Sequence, residues 1–165
     1  MRSPHFLNGR RPRLAFLSAA TVFAAGAAGT AATIPNIATW YAALRKPPFT
    51  PPNWVFGPAW TVLYVLMAVA FWRVLILPAE TKGRRSAITW FFIQLLLNAF
   101  WSIAFFGFHA PWLGLVTIGL LIGALIITII QFSAVDRVAG PIMIPYLLWV
   151  GFASALNAAV VWLNR

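Results

Sequence analysis

Cysteine is absent from this 165-residue sequence, and only two residues are acidic, Glu80 and Asp136. Without cysteine there is no disulfide framework, no thiolate nucleophile and no thiolate metal site. The two histidines, His5 and His109, are too few and too far apart to predict a metal site. Both acidic residues lie outside the long apolar runs, which argues against a paired-carboxylate active site and against an intramembrane proton relay.

Charged residues make up 8% of the chain and hydrophobic residues 62%, with a mean hydropathy of +0.86. Soluble domains carry roughly 25% charged residues, so this composition is typical of an integral membrane protein. The formal net charge is +10, but the basic residues lie almost entirely in the connectors between apolar runs. That placement reflects membrane topology and lipid headgroups. We therefore expect membrane lipid, and no nucleic acid, as a partner.

Five apolar runs are long enough to cross a bilayer, which takes roughly 20 helical residues. They cover residues 14–34, 55–77, 86–108, 112–132 and 141–163, and breakers such as Pro35 and Pro78 separate them. Mostly short connectors place consecutive helices antiparallel to each other. The sequence thus predicts an all-α fold, a single domain over residues 1–165 that forms a bundle of five transmembrane helices, with a proline-rich loop at 35–54.

Basic residues are unevenly distributed between the two sides of this bundle. The N-terminal side has nine: Arg2, Arg10, Arg11, Arg13, Arg73, Lys82, Arg84, Arg85 and Arg137. The other side has three: Arg45, Lys46 and Arg165. We expect a multi-pass protein of a bacterial cell membrane, and in a membrane of that type the positive-inside rule predicts a cytoplasmic N-terminus and the proline-rich loop outside.

The N-terminal segment has two interpretations. Arginines followed by an apolar run and "AAGAAGTAA" are similar to a secretory signal with small-residue cleavage sites. Alternatively, the small residues lie where a neighbouring helix packs closely. These residues are Ala24, Ala25, Gly26, Ala28 and Gly29.

Three predicted helices each place an aromatic residue beside a polar or small one on a single face. The sets are Trp60 and Tyr64 in the second run, Gln94, Asn98 and Trp101 in the third, and Tyr146, Trp149, Ala153 and Asn157 in the fifth. One interpretation is an interfacial aromatic belt with asparagines that join helices. The other is an apolar cavity with a few hydrogen-bonding groups, the usual form of a small-molecule site. In the fourth run, Gly119 and Gly123 allow close helix approach, within one chain or in a homodimer.

Three stretches of the sequence closely resemble one membrane-protein family. The stretch "WYAALRKPPFTPPNWVFGPAWTVLYVLM" resembles the first loop and second helix of the tryptophan-rich sensory protein and translocator protein family, also called the peripheral-type benzodiazepine receptor family. The stretch "QLLLNAFWSIAFFG" resembles its third helix and "IPYLLWVGFASALN" its fifth. The resemblance runs from about Trp40 to Asn157.

This resemblance implies five transmembrane helices, frequent homodimers and a pocket that binds porphyrins such as protoporphyrin IX, with no further cofactor required. It also implies six pocket residues, which are Trp40, Tyr41, Trp60, Asn98, Tyr146 and Trp149. The helix faces described above add Tyr64, Trp101 and Ala153 to this set. Some members bind sterols, but the weak sterol-recognition pattern is absent here, because no basic residue follows Tyr146 until Arg165.

The proline-rich loop is the predicted lid of this pocket. Proline fixes φ and favours an extended preceding residue, so "KPPFTPP" should form a stiff cover. The lid residues are Arg45, Lys46, Pro47, Pro48, Pro51 and Pro52, and the two basic ones should attract porphyrin propionates. Alternatively, the prolines only end one helix and begin the next, as Pro58 near a helix start suggests.

Three functions fit these features. The first is a membrane receptor or transporter for porphyrins and haem-related tetrapyrroles. The second is a light-dependent enzyme that degrades porphyrin oxidatively, a reaction that the resemblance assigns to some members, with Trp60 and Trp149 as the catalytic candidates. The third is a regulatory sensor of tetrapyrroles or stress that acts through a partner protein.

Overall fold

The computed structural model of the chain describes residues 5–165, with side chains from residue 11 onward. The side chains of Arg2, His5 and Arg10 lie outside this part. The helices are α1 (His5–Ile37), α2 (Trp40–Ala43), α3 (Asn53–Leu75), α4 (Arg84–Ser102), a π-helical turn (Ile103–Gly107), α5 (Pro111–Val135), α6 (Ala139–Ile142) and α7 (Ile144–Leu163). Residues 5–165 contain no β-strand, so the predicted all-α class is confirmed.

Within residues 5–165, five helical stretches are long and apolar enough to cross a membrane. They are Arg11–Ile37, Asn53–Leu75, Arg84–Gly107, Pro111–Val135 and Ala139–Leu163. Each overlaps one predicted span and differs from it by a few residues at either end. The prediction of a five-helix membrane bundle is therefore confirmed, and the protein is an integral membrane protein.

The proline-rich region is more helical than its prolines suggest. Pro35 lies inside α1, and the short helix α2 interrupts the predicted loop, so the non-helical part covers only residues 38–39 and 44–52. A proline breaks a helix mainly by removing one N–H donor and by crowding the carbonyl four residues earlier. That disruption is small at Pro35 because α1 ends two residues later, and the Thr39 hydroxyl donates to the Pro35 carbonyl at 3.1 Å.

In the bundle, α1 packs against α3 and α4, α4 against α5, and α5 against α7. The core is densest near the C-terminal end of α3 and the N-terminal end of α4. There the Phe91 ring stacks on Phe71 and Phe132, with ring centroids 4.1 and 5.6 Å apart. Such offset aromatic contacts add to the stabilisation that burial alone provides. The opposite half of the bundle, under the proline-rich loop, contains the cavity described below.

An ion pair holds the end of α3 to the connector after α5. The Arg73 guanidinium donates two hydrogen bonds to the Asp136 carboxylate, each 3.0 Å long. The backbone amides of Val138 and Ala139 donate to the same carboxylate at 2.9 and 2.8 Å. Burial alone would raise the pKa of Asp136, but the hydrogen bonds outweigh it and hold the pKa below its ordinary value.

Candidate functional site

A cavity of about 870 Å³ lies between α1, α3, the C-terminal end of α4 with the π-helical turn, and α7. Residues 44–52 connect α2 to α3 at the same end of the bundle, and Thr50 from this stretch lines the cavity. Aromatic side chains form much of the wall. They are Phe23, Tyr41, Trp54, Phe56, Trp60, Tyr64, Trp101, Phe105 and Phe106.

The structure divides the nine predicted ligand-binding residues into two groups. Five line the cavity, and four lie outside its lining. The lining group is Tyr41, Trp60, Tyr64, Trp101 and Ala153. The other group is Trp40, Asn98, Tyr146 and Trp149.

Asn98 lies behind the cavity wall, where it joins three helices. The Tyr64 hydroxyl donates to Asn98 Oδ1 at 3.1 Å, and Asn98 Nδ2 donates to the hydroxyl of the fully buried Tyr146 at 2.8 Å. The Trp60 ring lies between both phenols, with centroids 5.5 Å from Tyr64 and 6.2 Å from Tyr146. In hydrocarbon these polar groups have no water to bond, so the Asn98 side chain fixes the positions of the aromatic rings.

A second asparagine fixes Trp101 on the opposite wall. The indole nitrogen of Trp101 donates to Asn157 Oδ1 at 3.1 Å, and Asn157 Nδ2 donates to the Pro111 carbonyl at 2.8 Å. Asn157 itself lines the cavity. These two hydrogen bonds fix the orientation of the Asn157 amide and leave one Nδ2 hydrogen and one Oδ1 lone pair unused.

Phe105 and Phe106, which sequence reasoning missed, come from the π-helical turn. A π-turn changes the angular spacing of side chains, and such turns occur often at functional sites. Both rings line the cavity, with centroids 4.8 Å apart, and Phe105 stacks on Trp101 at 5.5 Å. The four-residue step from Trp101 to Phe105 was a usable signal, whereas the placement of Phe106 depends on the π-turn.

Trp40 supports this aromatic cluster from outside the lining. Its ring contacts Phe105 and Phe106 edge-on and stacks on the His109 imidazole, with centroids 4.6 Å apart. His109 Nε2 lies 2.7 Å from Asn36 Oδ1. Because Asn36 Nδ2 donates to the Ala32 carbonyl, His109 Nε2 is the donor in this pair. The contact connects the end of α1 to the loop before α5.

Two buried polar groups have no protein partner among the described residues. They are the Trp149 indole nitrogen and both side-chain polar atoms of Gln94. Trp149 lies behind Phe56, with ring centroids 6.0 Å apart, so it contacts the cavity wall through that ring. An unsatisfied buried donor costs about 1–3 kcal/mol, so a buried water molecule bonded to either group would stabilise the bundle.

Residues 44–52 are anchored at the end of α7. The Arg45 amide donates to Asn164 Oδ1 at 3.0 Å, and Asn164 Nδ2 donates to the Arg45 carbonyl at 2.9 Å. Pro47 is buried, whereas Pro48 and Pro52 are exposed. The chain between Arg45 and Asn53 is therefore fixed at both ends.

Lys46 places a positive charge at the edge of the cavity. Its ammonium group donates to the carbonyls of Ala42 and Leu44, both at 3.2 Å, and lies 4.8 Å from the ring centre of the cavity-lining Tyr41. Burial raises the pKa of Tyr41, so its phenol is neutral at physiological pH. A cation beside a neutral aromatic wall favours ligands with an apolar body and an acidic group.

The small residues of α1 pack closely against the cavity helices, as one interpretation predicts. An added Cβ at Gly26 would lie 2.8 Å from the Tyr64 ring, and one at Gly29 would lie 3.0 Å from Ser102 Oγ. In α5, by contrast, an added Cβ at Gly119 or Gly123 meets nothing within 4 Å. The Gly119 and Gly123 pair therefore serves no close helix contact with the side chains described from residue 11 onward.

Comparisons with known proteins agree with this architecture. The TspO/MBR family profile matches residues 18–163. The chain is 46% identical over 143 residues to the tryptophan-rich protein TspO of Archaeoglobus fulgidus, covering 87% of this chain and 92% of that protein. It is 36% identical to protein CrtK of Rhodobacter capsulatus, covering 86% and 88%, and 35% identical to the human translocator protein, covering 73% and 72%. The chain belongs to the TspO/MBR family.

Proposed function

We propose that the cavity binds a flat, largely apolar ligand of the porphyrin class, and that the protein acts as a membrane receptor or transporter for it. Protoporphyrin IX and haem-related tetrapyrroles are the ligands we expect. The observation that carries the proposal is the aromatic wall of Trp60, Tyr64 and Trp101 around about 870 Å³. Small-molecule pockets commonly measure about 300–1,000 Å³, so a macrocycle of this kind is in range.

The polar groups at the site suit the acidic edge of such a ligand. Lys46 lies beside Tyr41 at the cavity edge, and Arg45 precedes it in the anchored stretch. Both carry the positive charge that attracts propionate groups. Within the bundle, Asn157 presents a fixed amide that can bond a polar substituent.

An equilibrium titration tests the proposal directly. Purified protein in lipid nanodiscs is titrated with protoporphyrin IX, and the intrinsic tryptophan fluorescence is followed. We expect saturable quenching with one ligand per chain, because a ligand that fills the cavity lies against Trp54, Trp60 and Trp101 in its lining. Quenching that rises linearly, as it does for free indole in nanodiscs without protein, would mean that the porphyrin only partitions into lipid. That result would contradict the proposal.

A second candidate function is light-dependent oxidative degradation of the bound porphyrin. The placement of Trp60 on the cavity wall favours it, because an indole next to an excited macrocycle can donate an electron to it, and dioxygen, the oxidant of the proposed reaction, can then take that electron from the reduced macrocycle. Trp149, the other catalytic candidate, lies behind Phe56. Illumination of the saturated complex in the presence of oxygen separates the two functions. Loss of the porphyrin spectrum that requires Trp60 supports the enzyme, whereas a spectrum that decays as in empty nanodiscs supports the receptor.

Transport and sensing are separated by uptake into proteoliposomes. Vectorial accumulation of porphyrin without any other protein supports transport. Ligand-dependent copurification of a partner, without accumulation, supports a regulatory sensor.

We further propose that the protein lies in a bacterial cell membrane with its N-terminus in the cytoplasm. The lack of native cysteine makes the test simple. Single Thr50→Cys and Lys82→Cys variants place one thiol on each side of the bundle. A membrane-impermeant maleimide added to intact cells should label the first variant only, and the reverse pattern would invert the topology.

A further inference from the structure

The cavity is open sideways between α1 and α3. Residues of both helices that line it also keep most of their surface accessible. Ile34 on α1 is 64% exposed and Trp54 on α3 is 74% exposed, and both belong to the lining. A residue that faces the cavity and the surface together marks the rim of an opening.

The opening exists because the two helices diverge towards the proline-rich loop. They are in contact at Gly26, where an added Cβ would lie 2.8 Å from the Tyr64 ring. Deeper in the bundle, Ser18 Oγ donates to the Ala68 carbonyl at 2.7 Å. Gly57 lies on the same face of α3 as Tyr64, two turns nearer the loop, and an added Cβ there meets nothing within 4 Å. The gap extends along α3 from Gly57 to Tyr64. It is about 10 Å long, because seven residues separate the two positions and each rises 1.5 Å.

The water-facing end of the cavity is covered instead. The reciprocal hydrogen bonds between Arg45 and Asn164 hold residues 44–52 to the end of α7, and Pro47 is buried beneath them. A ligand that came from water would have to displace this anchored stretch. A ligand that came through the gap would have to displace no protein hydrogen bond.

The walls of the gap suit hydrocarbon. The hydroxyl of Thr33 donates to the Gly29 carbonyl and that of Thr61 to the Gly57 carbonyl, each at 2.9 Å. These hydroxyls therefore present mainly their methyl groups to the gap. Because α1 and α3 span the membrane, the gap faces the acyl chains of the bilayer. A gap in contact with these chains does not stay empty.

We propose that the gap between α1 and α3 is a lateral portal, through which the cavity is loaded from the bilayer, and that a lipid acyl chain occupies it when no ligand is bound. The portal is bounded by Ile34, Gly57 and Thr61 above the contact between Gly26 and Tyr64. The loading step rests on the proposed function, since it needs a ligand that binds in the cavity. The acyl-chain site does not.

A single labelled cysteine tests the loading step, because the chain has no other thiol. Gly57→Cys is coupled to a bulky maleimide, which fills the portal; because Gly57 also lines the cavity, the equilibrium affinity is measured beside the rate, and only a slower rate at unchanged affinity supports the portal. Gly119→Cys with the same label is the matched control, because it also has open space around it but lies on α5, away from the lining. Protoporphyrin IX is delivered in donor vesicles to protein in nanodiscs, and the rate of tryptophan quenching is measured by stopped flow.

The label at Gly57 should slow association about tenfold, equivalent to ~1.4 kcal/mol on the barrier, with the control unchanged. Equal rates for both labelled proteins, with saturable binding intact, would place the entrance elsewhere and overturn the portal while the proposed function stands. If Asn164→Ala, added to the protein labelled at Gly57→Cys, restored the association rate, the ligand would enter under the loop. That result would likewise overturn the portal. Absence of saturable binding in unlabelled protein would instead defeat the proposed function.

The acyl-chain site is tested without any porphyrin. Nanodiscs are made with a phosphatidylcholine that carries a diazirine in one acyl chain, and cross-linked peptides are mapped by mass spectrometry after illumination. We expect adducts concentrated on residues 27–34 of α1 and 57–61 of α3, reduced severalfold by the label at Gly57. Adducts spread evenly over all lipid-facing helices, and insensitive to that label, would overturn the acyl-chain site.

Discussion

Replacing Asn98 should destabilise the bundle more than any of its hydrogen bonds alone suggests. The side chain is only 3% exposed, accepts a hydrogen bond from Tyr64 and donates one to Tyr146. Interhelical hydrogen bonds in membrane proteins contribute about 0.6 kcal/mol each on average. Asn98→Ala removes two of them and leaves the fully buried Tyr146 hydroxyl without a partner, at a cost of about 1–3 kcal/mol. We therefore expect a loss of about 2–4 kcal/mol.

The comparison with tyrosine variants makes this prediction specific. Tyr64→Phe removes one partly buried hydrogen bond and should cost only about 0.6 kcal/mol. In the double variant Asn98→Ala with Tyr146→Phe, no buried hydroxyl is orphaned, so the loss should be at least about 1 kcal/mol smaller than the sum of the two single losses. The free energy of unfolding is measured by titration with SDS in mixed micelles. Losses that add to within about 0.5 kcal/mol would refute the argument that Asn98 holds Tyr146.

Three further predictions concern other contacts of the bundle. Gly26→Ala should lower stability by about 1–3 kcal/mol because its Cβ overlaps a tyrosine ring, whereas Gly57→Ala, with open space, should be neutral or slightly stabilising in thermal unfolding. The lowered pKa of Asp136 means that its pairing with Arg73 stabilises the fold above the ordinary value of 3.8 and that this stability is lost as pH falls through the lowered pKa. In Asp136→Asn, the free energy of unfolding should therefore fall less steeply at acid pH than in the wild type. An unchanged fall would mean that another group causes the acid dependence. Asn164→Ala should release the loop and speed its cleavage by trypsin after Arg45, with unchanged cleavage as the contrary result.

Much of the architecture could be predicted from sequence, because the length of an apolar run and the positions of prolines are local signals. The second span, predicted at 55–77, is observed at Asn53–Leu75, and the fourth, predicted at 112–132, at Pro111–Val135. Pro35 shows the limit of such signals. A proline near the end of a helix disrupts too little to stop it, and only the structure reveals that α1 continues to Ile37.

The site was less predictable, because helical periodicity identifies a face but not what lies in front of it. Asn98 and Trp101 share a face of α4, yet Trp101 lines the cavity and Asn98 lies behind Tyr64. The π-helical turn breaks the 3.6-residue period and brings in Phe106. The close approach of α1 to α3 at Gly26 and Tyr64 is a tertiary contact that spacing alone cannot show.

Porphyrin binding in the cavity under the proline-rich loop can be tested with a matched pair of tryptophan variants. Trp60 lines the cavity, whereas Trp112 is 62% exposed on α5 and lies outside the lining. Protoporphyrin IX binding to Trp60→Leu and Trp112→Leu in nanodiscs is measured by the Soret absorption of the ligand. We predict about a five- to tenfold loss of affinity for Trp60→Leu, from about 1 kcal/mol of lost stacking, and no change for Trp112→Leu. Equal affinities for the two variants would contradict the account.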